Sequence, residues 1–150
     1  MGWDADATKD GEMLVRQGDD VRHRQLADPV LRAAFTDAAA RVKRDFCSWR
    51  ADMAVGKLDG YSYKQVIERA TGARCFDPFD FDRERIGEMH WPPATVLRLS
   101  AGADWDFPTE DLIESEEDEI CADEYDDFRL EARLFLETCA EQGLGIRFSW

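Results

Sequence analysis

The sequence predicts an α+β domain, with three main helices packed on a small, mainly antiparallel sheet. Three observations predict it. Apolar residues recur at spacings of three and four through residues 29–55 and again through 122–141. A capped helix start stands at Ser62. Residues 145–150 alternate apolar and polar, as a half-buried strand does.

The first helix is expected over 29–55. Asp28 is placed to cap it and Pro29 to occupy its first position. Leu31, Phe35, Ala38, Val42, Phe46, Trp49 and Met53 then form one stripe, ending at Gly56 as C-cap. Such a helix would be about 40 Å long, enough to cross the domain. Thr36-Asp37 offers a second cap where the helix could break. Over 62–71, Ser62 and Gln65 have capping-box spacing, Tyr61 can staple against Val66, and Gly72 ends the helix. The two make an αα-hairpin.

Thr95 to Leu99 has strand propensity, with Leu97 and Leu99 on one face, after a stiff Trp91-Pro92-Pro93 turn. The last helix, 122–141, carries Tyr125, Phe128, Ala132, Phe135 and Cys139 as its stripe. Leu130, Leu134 and Leu136 widen it, and Gly143 ends it. Ile146, Phe148 and Trp150 of the final strand are expected to face inwards. Met13-Leu14-Val15 suggests a further short strand near 12–16. The rest of residues 1–27 is polar and poorly patterned, and loosely ordered on this reading. Arg16, Arg22, His23 and Arg24 there read as a solvated basic cluster. Between Phe76 and Asp82 aromatics alternate with acids, as in an edge strand or extended loop, because Pro78 bars a central one.

A chain of 150 residues is most simply one domain, able to bury roughly 70% of its unfolded surface. Apolar residues make up 44%, which suits a folded core. No apolar run is long enough to span a bilayer. Met1 to Asp6 has neither the basic nor the apolar region of a cleaved signal, so a cytoplasmic location is expected. Cys47, Cys75, Cys121 and Cys139 are scattered, with no close pair, which fits a reduced compartment. The chain has no Asn and uses far more Arg than Lys, the codon bias of a high-GC genome, which points to a bacterium or its phage.

Charge carries the functional reading. The chain holds 33 acids against 19 bases, a net charge of −14. Between Arg98 and Arg129 there is no base, yet thirteen acids fall there, from Asp104 to Asp127. The remaining 20 acids nearly balance the 19 bases, so the surplus sits in one segment, 99–128. Acids in the first turn of the last helix suit its dipole. Glu114 to Glu119 have no such reason, since like charges one turn apart repel.

A focused negative field attracts a cationic cleft and speeds encounter. The partner expected is therefore a basic protein, such as a toxin or a nucleic-acid-binding enzyme. Direct contact with nucleic acid or a membrane is not expected, since both are anionic. The contact residues predicted are Trp105, Asp106, Phe107, Glu110, Asp111, Glu114, Glu116, Glu117, Asp118, Glu119, Asp123, Glu124, Tyr125 and Asp127. The acids would meet Lys and Arg, and the aromatics would pack as anchors. The activity expected is that of an acidic inhibitor, an immunity protein or antitoxin neutralising a bacterial toxin such as a nuclease. One rival is a phage DNA mimic acting against restriction or CRISPR enzymes. Its acids would be spread along a long face rather than gathered in one segment. A second rival is a small enzyme using a metal held by the Asp77–Glu88 acids, or a Cys-His pair, and a further reading is an adaptor with an unrelated basic partner.

Enzyme chemistry has little to stand on. Residues 51–58 have the rhythm of a phosphate loop but end a helix where that loop must begin one. Asp77, Asp80, Asp82, Glu84 and Glu88 are oxygen donors without the glycine and terminal glutamate of a calcium loop. His23 and His90 have no partner at metal-ligand spacing. Cys75 with His90 is the one conceivable nucleophile and base pair. No catalytic residue, metal or cofactor is expected.

Overall fold

A computed structural model describes residues 2–14, 26–42, 52–77, 87–112 and 122–150. It is an α+β fold on an antiparallel sheet. The strands are β1 (Asp4–Lys9), β2 (Glu12–Met13), β3 (Lys57–Asp59), β4 (Glu88–Trp91) and β5 (Gly145–Ser149). The described α-helices are α1 (Pro29–Ala40), α2 (Tyr61–Thr71), α3 (Pro93–Gly102) and α4 (Ala122–Glu141).

The sheet order is β2-β1-β5-β4, with β3 also pairing β1. β1 runs against β5 from Asp4↔Ser149 to Thr8↔Gly145. Its other edge takes β3 through Asp4↔Asp59 to Asp6↔Lys57, then β2 through Thr8↔Met13. A segment whose sequence shows no strand pattern is thus the centre of the sheet. Its inward residues are Ala5 and Ala7, too small to register as an apolar stripe. They leave room for Phe148, which Trp3 stacks upon at 5.6 Å and Trp91 meets edge-on at 4.6 Å. Those two indoles donate to the carbonyls of Cys75 and Arg74 and hold that segment to the sheet. Ile146, Phe148 and Trp150 are buried, as the alternation predicts.

Helix α1 starts as expected. The Asp28 carboxylate accepts from Val30 N at 2.9 Å and Leu31 N at 3.3 Å, with Pro29 at the first position. It does not run to residue 55. It stops at Ala40, where Arg41 and Val42 donate to carbonyls three residues back. Val42 and Met53 of the predicted stripe are both buried, although α1 ends before either. Phe46 and Trp49 lie outside the described residues. Gly56 closes the turn after Met53 at φ +73°, and its carbonyl accepts from Ala7 N at 2.8 Å. A Cβ there would press on Ala7, Leu14 and Phe35.

Helix α2 begins one residue earlier than predicted, at Tyr61, with Gly60 as N-cap and no side-chain cap. The Ser62–Gln65 capping box therefore does not form, and Gln65 is engaged elsewhere. Gly72 ends the helix in the left-handed region, as expected. The predicted strand at 95–99 is helix α3. Pro93 at the first position outweighs the β propensity of Thr95-Val96-Leu97. Val96 is buried, Leu97 is 60% exposed and Leu99 half-buried, a helical and not an alternating pattern. The strand beside β5 is instead β4, just before the two prolines.

Helix α4 is the hub. It packs against α1, α2, α3, β3 and β5, with Tyr125, Ala132, Phe135 and Cys139 buried and Phe128 partly so. Leu134 and Leu136 widen the stripe as expected. Leu130 does not, being 43% exposed. Glu131, wholly buried, accepts from the Tyr63 hydroxyl across the α2–α4 contact. No described helix is long and apolar enough to cross a membrane.

Candidate partner-binding surface

The acidic segment leaves the body at the end of α3. Asp104 N donates to the Ala70 carbonyl at 2.9 Å, which ties the exit to α2. The Asp104 carboxylate accepts from Asp106 N at 3.0 Å and tightens the turn. Along Asp104-Trp105-Asp106-Phe107 burial alternates from one residue to the next. The aromatics go in and the acids go out: Trp105 and Phe107 are buried, while Asp104 and Asp106 are exposed. A 3-10 turn, Thr109–Leu112, follows, with Glu110 exposed on it.

The other end returns at α4. The Tyr125 hydroxyl donates to Gln65 Oε1 at 2.9 Å, so this end is also tied to α2. Phe107 lies between two guanidiniums, Arg69 at 5.3 Å and Arg129 at 5.6 Å. Arg129 donates to the Phe107 carbonyl at 2.7 Å and pairs with Asp126 one turn back. Both ends of the segment thus converge on the face of α2 that carries Gln65, Arg69 and Ala70.

This placement corrects the expected contact set. Trp105, Phe107 and Tyr125 are core residues, 9%, 4% and 3% exposed, and offer a partner little surface. Asp106 and Glu110 are exposed and join none of the ion pairs among the described residues. Asp127 is half-buried. Asp111, Asp123 and Glu124 are placed by backbone only, on the 3-10 turn and the first turn of α4. Glu114, Glu116, Glu117, Asp118 and Glu119 lie outside the described residues. At the base of the segment a depression of about 410 Å³ is lined by Trp105, Asp106, Asp126, Arg129, Leu130 and Arg133. Two acids there face two guanidiniums, so the depression itself is charge-balanced.

Comparison with protein-family models, curated proteins and solved structures found no match to this chain. The function must therefore be argued from this geometry alone.

The catalytic alternatives fare poorly. His90 Nε2 lies 3.2 Å from Thr8 Oγ1, and the Cys75 thiol points to the Lys64 carbonyl, so the two do not form a pair. Burial pushes the Cys75 thiol well above its ordinary range, away from a reactive thiolate. Of the acids from Asp77 to Glu88, Asp80, Asp82 and Glu84 lie outside the described residues, while Glu88 pairs with Arg147. Among the described residues no three donors stand close enough to hold a metal ion.

One acidic grouping has no counterpart in the sequence reading. Asp4 and Asp59 are directly opposite across β1 and β3, with Lys57 3.8 Å from Asp4. Burial raises the Asp4 carboxyl to about 6; Lys57 opposes this, and Asp59 and Asp6 add to it. Burial, then Asp59, also raises Asp52. The signal was absent because it needs residues fifty apart to be neighbours.

Proposed function

We propose that this chain is an acidic inhibitor that binds and blocks a basic protein through the carboxylates of residues 104–127, in the manner of an immunity protein neutralising a toxin. The observation that carries the reading is the anchoring of the segment. Its aromatics lie inside, its two ends converge on α2, and Asp106 and Glu110 are exposed and unpaired with any base among the described residues. Carboxylates held in place before binding lose less freedom on docking than those on a free tail. Their contribution is steering and complementarity towards Lys and Arg, so contact by charge replaces contact by aromatic anchors. The charge-balanced depression beneath them favours a partner that rests on the segment's outer side.

The test is capture from a bacterial lysate by the wild-type chain and by two neutralised forms. One form replaces Asp106 and Glu110 by their amides, and the other does so for Glu116, Glu117, Asp118 and Glu119. A basic protein retained at low salt, released at high salt and lost with both forms supports the reading. Retention indifferent to both sets of substitutions removes it. A captured duplex-DNA enzyme displaced by DNA would favour the mimic over the toxin inhibitor.

A further inference from the structure

The sheet ends at β4, and that edge has an arrangement independent of the acidic segment. Gly87 and Trp150 exchange both backbone hydrogen bonds at 3.0 Å. In an antiparallel ladder such pairs alternate, so Met89 and Trp91 also bond to β5. The N–H and C=O groups of Glu88 and His90 therefore point away from the sheet. Among the described residues nothing pairs with them. Both side chains are exposed on the outer face, while Met89 is half-buried against the core.

We propose that β4 is a self-association edge, which pairs antiparallel with β4 of a second copy about a two-fold axis at Met89. That register sets Glu88 opposite His90 of the other copy, twice. All four outward backbone groups of each strand are then bonded, and acid faces imidazole at both pairs. The two Met89 side chains meet on the apolar face, at the closer non-hydrogen-bonded position. Moving the axis to Glu88 sets two carboxylates opposite each other, and moving it to His90 sets Pro92, which has no N–H, opposite Glu88, so one register is left. Pro92 and Pro93 then limit the pairing to this short stretch. A contact this small forms a weak, concentration-dependent dimer. With −14 on each chain, salt strengthens it by screening repulsion. Salt has the opposite effect on capture of a basic partner, so the two associations are separable.

Sedimentation velocity on the full chain tests this, from about 10 μM to about 1 mM and at low and high salt. The mass is expected to rise towards twice the 17.2 kDa of one chain, more so at high salt. H90E places two acids opposite each other and should weaken the dimer at least tenfold, roughly the effect of one unfavourable cross-strand pair on each side. Adding E88K to H90E should restore it. H90P removes an outward N–H that the isolated fold does not use, and should abolish dimerisation with the circular dichroism unchanged. A monomer throughout, or a dimer indifferent to both H90E and H90P, overturns the proposal.

Discussion

The Arg129 guanidinium donates to the Phe107 carbonyl at 2.7 Å and also pairs with Asp126, so one side chain binds the outgoing and returning ends of the acidic segment. It also covers the buried Phe107 ring from one side, with Arg69 on another. Arg129→Met would keep the aliphatic stem and lose both bonds. The expected cost is about 1–3 kcal/mol, because a carbonyl of a buried residue loses its donor. Urea unfolding would measure it. A cost below about 0.5 kcal/mol, the usual range for a surface change, would mean that the ends do not depend on this tie.

The Tyr63–Glu131 contact is a buried polar link in the α2–α4 interface. Tyr63→Phe conserves the ring and its edge-on packing against Phe128 at 5.2 Å. Only the donor is lost, and a buried acid is left with one bond fewer. We expect roughly 1–3 kcal/mol of destabilisation, the range for leaving a buried acceptor without its donor. A neutral result would show that Glu131 is satisfied without Tyr63.

Helix and strand readings of residues 95–99 make opposite predictions for two neighbours. In α3 Val96 is buried and Leu97 is exposed. Val96→Ala should cost about 1–2.5 kcal/mol and Leu97→Ala within about 0.5. A strand with Leu97 inward would reverse the order. Thermal unfolding of the two variants decides it.

The raised carboxyl of Asp4 gives a pH dependence of definite sign. Its native value, about 6, exceeds the ordinary carboxyl value of 3.8, so the folded state binds this proton more tightly than the unfolded one. The group opposes folding at neutral pH, and that opposition fades as pH falls through about 6 towards 4. Asp4→Asn should stabilise the protein at pH above about 7 and lose its advantage near pH 4. Because the side chain is half open to solvent and its Lys57 pair is lost too, the gain is about 1 kcal/mol rather than the full shift. A larger benefit at low pH than at high pH would contradict this assignment.

The last helix and the closing strand were legible in the sequence, Leu130 apart. Twenty residues of α4 and the inward set Ile146, Phe148 and Trp150 follow from local period alone, because long amphipathic elements repeat their signal many times. The capping of α1 by Asp28 and Pro29 was legible for the same local reason. The concentration of acid between Leu99 and Phe128 could also be counted without coordinates.

Three matters were settled only by tertiary contact. β1 is a strand because Asp4 to Thr8 find Ser149 to Gly145 at the far end of the chain, a pairing no local window contains. Residues 95–99 keep the helix that Pro93 starts because the packing of Val96 in the core favours it over strand propensity. Trp105, Phe107 and Tyr125 face inward because α2 and Arg129 surround them. Composition can state that an aromatic lies beside an acid, but only the surrounding elements decide which of the two meets water.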